Sequence, residues 1–184
     1  IEAATYIMMA LMTGSQLKVN GFVPGHIDAV LEKLEEMGAS IERSENGVEV
    51  FPSDLKGVNI DTAPYPGFPT DVQAQMMALV TQIKGSTIIT EHIFENRFMH
   101  VPELNRLGSS IELKGNTAFI EGGHELKGAP VMCTDLRASA ALVIAALASS
   151  GKTEISRVYH LDRGYENLDL KLKSIGADIE RVGE

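Results

Sequence analysis

Two runs of this chain are apolar almost all the way round a helix. One is residues 72–83, with Val72, Met76, Met77, Leu79, Val80 and Ile83, and the other is the Ala-rich stretch 136–149. A helix without a polar face must be covered on every side, so both runs predict helices at the centre of the molecule. Residues 2–13 carry a further helical pattern, and Met8, Met9, Met76 and Met77 read as core packing. Residues 101–107 and 165–175 predict two more helices. Strand-like runs lie between them at 58–61, 86–90, 131–133 and 152–156. Residues 40–43 and 48–51 flank Asn46-Gly47, and 110–113 and 118–121 flank Gly115-Asn116, both hairpin signals.

The pattern repeats. Leu34-Glu35-Glu36-Met37-Gly38-Ala39-Ser40-Ile41-Glu42 returns as Leu104-Asn105-Arg106-Leu107-Gly108-Ser109-Ser110-Ile111-Glu112, and again as Leu172-Lys173-Ser174-Ile175-Gly176-Ala177-Asp178-Ile179-Glu180. The three glycines lie 70 and 68 residues apart, each placed to end a helix where a left-handed residue carries no Cβ penalty. Thr70-Asp71 returns as Thr134-Asp135, and Arg97 as Arg163. The repeating unit reads β-α-β-α-β-β, about 65–70 residues long, a split α/β supersecondary unit. The expected fold is therefore α/β: one domain (1–184) of three such repeats with pseudo-threefold symmetry, buried helices inside and sheets outside. The units fall at about 1–52, 53–122 and 123–184; the first lacks its opening strand and the last ends in a lone strand, 178–182. A chain that starts inside a helical pattern without Met is expected to be a fragment of a longer protein.

Charge narrows the function. Sixteen Lys and Arg against 25 Asp and Glu leave a net charge of −9 with no basic cluster, which argues against nucleic acid or an anionic membrane as partner. A small anion held by a few focused arginines stays open. The single cysteine, Cys133, allows no internal disulfide, fits a reducing compartment and lies on an expected buried strand, where it packs as an inert hydrophobe. No apolar run reaches the ~20 residues of a membrane helix. His26, His92, His100, His124 and His160 show no metal-ligand spacing and read as loop or surface residues; no metal or cofactor is expected.

The candidate chemistry sits after the strands. Pro64, Pro66 and Pro69 stiffen a loop that runs into Thr70-Asp71, either of which is placed to cap the following helix. Arg137 stands in the first turn of its helix, where a cation opposes the helix dipole and calls for an acidic partner or an anionic ligand. In βαβ architectures such loops collect at one end, so Asp71, Asp135, Arg97, Arg137 and Arg163 are expected on one face. Arginine grips phosphate or carboxylate in bidentate fashion, and Asp accepts from a hydroxyl or acts as a base. Helix caps and surface salt bridges would explain the same residues, as in a non-catalytic, repeat-built binding domain.

The segments Pro64-Tyr65-Pro66-Gly67-Phe68-Pro69-Thr70-Asp71, Glu95-Asn96-Arg97-Phe98, Thr134-Asp135-Leu136-Arg137-Ala138 and His160-Leu161-Asp162-Arg163-Gly164-Tyr165-Glu166 resemble the UDP-N-acetylglucosamine 1-carboxyvinyltransferase family over essentially the whole chain. The resemblance implies a cytoplasmic bacterial transferase of peptidoglycan synthesis, and so of cell-wall biogenesis, cell shape and division. It implies an inside-out α/β barrel in each of two domains, with this chain as the C-terminal one. The enolpyruvyl group of phosphoenolpyruvate passes to the 3′-hydroxyl of UDP-N-acetylglucosamine with release of phosphate and without a metal. By motif, Asp71 resembles the residue that binds and deprotonates that hydroxyl, and Thr70, Ile93 and Phe94 resemble sugar-nucleotide contacts. Arg97 and Arg163 resemble the grip on phosphoenolpyruvate, with Asp135 and Arg137 in support; Asp71, Asp135 and Arg163 are the expected catalytic residues. The family's cysteine-bearing loop and Lys-Asn pair have no counterpart here, and Cys133 does not match the cysteine's context. The isolated chain is expected to fold, to supply half of an active site and to be inactive without the other domain. The related shikimate-pathway enolpyruvyl transferase is the nearest alternative.

Overall fold

The computed structural model describes residues 1–183. In chain order the first set of elements is α1 (Glu2–Met12), β1 (Leu17–Asn20), α2 (Asp28–Glu36), β2 (Ser40–Ser44) and β3 (Gly47–Phe51). The second is β4 (Ile60–Asp61), α3 (Gln73–Val80), β5 (Gly85–Thr90), α4 (Val101–Arg106), β6 (Ser110–Lys114) and β7 (Thr117–Gly122). The third is β8 (Pro130–Met132), α5 (Leu136–Ala148), β9 (Glu154–Ser156), α6 (Tyr159–Asp162) and α7 (Leu168–Ser174).

The helices expected at the centre are there. Every residue of α3 is buried, as are residues 138–145 of α5, and α1, α3 and α5 pack on one another. Met8, Met76, Met77, Leu142 and Ile144 are fully inaccessible, each such side chain worth about 1.5–3 kcal/mol of transfer free energy. Three sheets lie outside them, in the orders β1-β3-β2, β4-β5-β7-β6 and β8-β9. Only the second shows the whole unit: β4 and β5 run parallel across the α3 crossover, and β7 returns antiparallel to β5 and carries β6. No helix among the described residues is long and apolar enough to cross a membrane.

The repeated glycines do the same work three times. Gly38, Gly108 and Gly176 have φ of +103°, +103° and +100°. In each repeat the following amide reaches back to the carbonyl five residues earlier: Ala39 to Leu34, Ser109 to Leu104 and Ala177 to Leu172. This Schellman closure turns the chain out of the helix and onto the next strand.

Two expectations about turns and strands fail. Ser44 pairs with Gly47, so the first hairpin turns on Glu45-Asn46 instead of Asn46-Gly47. Gly47 belongs to β3, where a Cβ would run into the backbone oxygen of Val19 on β1; the glycine serves close strand approach, not the turn. Residues 178–182 form no strand. In the second sheet the matching strand, β6, pairs only with β7, and the described residues offer no counterpart of β7 beside β9. A strand without a partner leaves its backbone groups to water.

A polar cluster crosses the apolar centre. Thr5 Oγ1 lies 2.8 Å from the Tyr165 hydroxyl, and Gln75 Nε2 donates to Thr5 Oγ1 at 3.3 Å, to Tyr165 at 3.4 Å and to the Asp71 carbonyl at 3.1 Å. Burial pushes the Tyr165 hydroxyl above its ordinary range, which keeps it a donor. All three repeats meet here, directly beneath Asp71.

Candidate active site

The proline loop is held at its base by Ala63 N–H donating to Phe68 O at 2.9 Å and Gly67 N–H to Pro64 O at 2.8 Å, with the Phe68 ring buried. The loop delivers Thr70 and Asp71 into a single 3₁₀ turn, Thr70–Val72, ahead of α3. Neither side chain caps the helix, contrary to the sequence expectation. Thr70 Oγ1 donates to Glu91 Oε2 at 2.9 Å. Asp71 Oδ1 accepts from Arg137 Nε at 2.6 Å and faces Arg97 Nη1 at 3.6 Å. An α3 entry built as a 3₁₀ turn orients the Asp71 carboxylate away from the free amides of its own helix and toward two guanidiniums.

Asp135 does the opposite. It is extended at φ −160°, ψ 175°, and its Oδ1 accepts from the Arg137 amide at 2.9 Å and the Ala138 amide at 3.1 Å. One Thr-Asp pair is therefore a cap and the other a charged clamp. The acidic partner that Arg137 requires is Asp71, from the preceding repeat.

A cavity of about 260 Å³ lies beside these groups, and Asp71 itself is not among its lining residues. Thr70, Phe94, Arg97, Asp135 and Arg137 line it, and the Arg97 guanidinium lies 4.2 Å from the centroid of the Phe94 ring. Three buried polar atoms of lining residues have no hydrogen-bond partner: Gln73 Nε2, Arg97 Nη1 and His100 Nε2. Buried polar atoms left without a partner cost free energy. A larger depression of about 420 Å³, beside Gln82, His124 and Glu125, touches none of these residues.

Not every expected residue joins them. Arg163 is exposed at the C-terminal end of α6, outside the cavity lining, although the neighbouring Gly164 packs on Leu136 at the start of α5. The Ile93 side chain does not line the cavity; its amide donates to Glu91 Oε1 at 2.8 Å. Cys133 is buried, and that burial pushes its thiol up, away from the reactive thiolate. Among the described residues no cluster of His, Cys, Asp and Glu is arranged to hold a metal.

Two residues of the site escaped the sequence reading. His100, expected in a loop or at the surface, lies in a turn but is only 2% exposed, and burial brings its imidazole down to about 4 against the opposing pull of Asp135. It is a neutral ring at pH 7. Glu91 is also 2% exposed. Its signal was present: Thr87, Ile89 and Glu91 alternate on the buried face of β5 and its continuation.

A family model for EPSP synthase (3-phosphoshikimate 1-carboxyvinyltransferase) matches residues 1–172. The chain is 57% identical over 185 residues to a UDP-N-acetylglucosamine 1-carboxyvinyltransferase of Wolinella succinogenes, and 52% identical over 185 residues to one of Helicobacter pylori. All of this chain is covered in both comparisons, and 44% of each relative, so it spans less than half their length. Among solved structures, the enolpyruvyl transferase NikO from Streptomyces tendae superposes with a TM-score of 0.85 at 28% identity, covering 96% of this chain and 43% of that one. An EPSP synthase from Acinetobacter baumannii superposes with a TM-score of 0.73 at 18% identity, covering 98% and 43%, a likeness of fold.

Proposed function

The chain belongs to the EPSP synthase (3-phosphoshikimate 1-carboxyvinyltransferase) family, and on that premise we propose that it is one domain of a two-domain enzyme joining phosphoenolpyruvate to UDP-N-acetylglucosamine. In this reading the chain is a single domain of three units at about 1–52, 53–122 and 123–184. The enolpyruvyl group passes to the sugar 3′-hydroxyl and phosphate leaves, in a cytoplasmic step of peptidoglycan synthesis that serves cell-wall biogenesis, cell shape and division. The relatives at 52–57% identity are UDP-N-acetylglucosamine 1-carboxyvinyltransferases by name, which supports this acceptor over shikimate 3-phosphate.

One observation carries the reading: the partly exposed Asp71 carboxylate is held by Arg137 Nε at 2.6 Å and faces Arg97 at 3.6 Å, and both arginines line the cavity. A carboxylate so placed accepts from a sugar hydroxyl and takes its proton as the oxygen adds to C2 of phosphoenolpyruvate. That addition places a proton on C3, and loss of a C3 proton with departure of phosphate restores the double bond. Arg97 approaches Asp71 through Nη1 alone, at 3.6 Å, and Arg137 binds it only through Nε, so both retain N–H groups for the carboxylate and phosphate. Asp135 fixes the first turn of α5 and so aims Arg137. Thr70 and Phe94 contribute to the sugar-nucleotide side with Ile93, and Arg163 reaches the reacting anion from the neighbouring loop when the second domain completes the site. No metal or cofactor takes part.

The test is phosphate release by the full-length protein with phosphoenolpyruvate and UDP-N-acetylglucosamine, against shikimate 3-phosphate as the alternative acceptor. Asp71→Ala is expected to lower turnover by about 10²–10⁴-fold with folding intact, as removal of an acid–base group does. Turnover only with shikimate 3-phosphate would replace the acceptor. No phosphate release with either would leave a binding domain. The 184-residue chain alone is expected to release none.

A further inference from the structure

Glu91 is a buried carboxylate whose partners are all neutral donors. Oε1 accepts from Thr62 Oγ1 at 2.8 Å, from the Ile93 amide at 2.8 Å and from the Phe94 amide at 3.2 Å. Oε2 accepts from Thr70 Oγ1 at 2.9 Å. Thr62 in turn accepts from the His92 amide at 2.8 Å, while the backbone of Glu91 exchanges two bonds with Asn116, its N–H to Asn116 O at 2.8 Å and its carbonyl from Asn116 Nδ2 at 3.0 Å. Removing a carboxylate from water is costly, and it is kept here only because each oxygen is satisfied.

The position of these bonds gives them a purpose beyond stability. Thr70, which precedes Asp71 at the end of the proline loop, and Phe94, whose ring lies under the Arg97 guanidinium, both line the cavity. Among the described residues, Glu91 is the one side chain bonded to both. We propose that Glu91 is a positioning residue that locks the Thr70 side of the cavity to the 93–94 backbone and sets the aperture that receives the acceptor sugar. The identity of that ligand rests on the function proposed above; the lock itself does not. The acid is required because it has acceptors only. In Glu91→Gln the amide oxygen can keep the Oε1 donors, but its NH₂ then meets the Thr70 hydroxyl, which has to rotate and give up its role as donor.

The experiment uses the full-length protein carrying this chain. Glu91→Gln is expected to raise KM for UDP-N-acetylglucosamine about tenfold while KM for phosphoenolpyruvate stays within about twofold. Hydrogen exchange at the 93 and 94 amides is expected to quicken at least about tenfold with exchange in α5 unchanged. A purely structural residue would lower the active fraction and hence kcat, leaving both KM values alone; that result, with or without a fall in kcat, overturns the positioning role. Unchanged exchange at 93 and 94 overturns the lock. Thr62→Val cuts one arm without touching the cavity lining, and is expected to move the sugar KM in the same direction by about threefold even where Glu91→Gln fails to fold. Wild-type protein that releases no phosphate would sink the proposed function, and the exchange result would still decide the lock.

Discussion

His100→Leu isolates one titrating group. The imidazole ionises at about 4 in the folded chain because it is completely buried, against an ordinary 6.5 once unfolded. Between those two values the unfolded chain holds a proton that the folded chain refuses, so acid favours unfolding. The stability tied to His100 is whole above pH 6.5 and is lost as the pH falls toward 4. Each unit of this window is worth about 1.4 kcal/mol, which makes about 3 kcal/mol over the full window and about 2 kcal/mol by pH 5. Asp135 is the nearby charge that pulls the other way, and it is already counted in the value of about 4. Leucine has nearly the volume of histidine, and replaces an unpartnered buried Nε2 with carbon. Urea unfolding of the 184-residue chain, followed by circular dichroism at pH 7.5 and pH 5.0, reads the difference. The wild-type chain is expected to lose about 2 kcal/mol more than His100→Leu between those two conditions. Equal losses would show that the ring is solvated or paired and would refute the reasoning.

The two Thr-Asp pairs part under the same assay. Asp135→Ala removes a cap with two amide bonds and is expected to cost about 1–2 kcal/mol, whereas Asp71→Ala removes a part-exposed ion pair worth about 0–1 kcal/mol and acts on turnover instead. Gly128→Ala places a Cβ against the backbone oxygen of Lys152, and a melting curve is expected to show a loss of about 1–3 kcal/mol. Leu142→Ala, in the fully buried stretch of α5, is expected to cost about 2–5 kcal/mol in denaturant, more than any of these loop changes.

Hydrophobic period and turn chemistry are local, and they determined much of this protein without coordinates. Helices with no polar face had to lie inside; the recurring glycines had to end helices; the spacing of matched motifs declared three units before any sheet was seen. Hydrogen-bonding partners are not local. Thr70-Asp71 and Thr134-Asp135 are the same two letters, yet one enters its helix through a 3₁₀ turn and the other through an extended residue, and only the second can cap. The bond that defines the site, Arg137 to Asp71, spans 66 residues and exists because α3 and α5 pack side by side. Residues 178–182 have the sequence of a strand and no partner to make them one. Glu91 and His100 look like ordinary loop residues until burial strips them of water, and what each then does follows from the groups the fold sets around it: four donors for the carboxylate, no hydrogen-bond partner for the Nε2 of the ring.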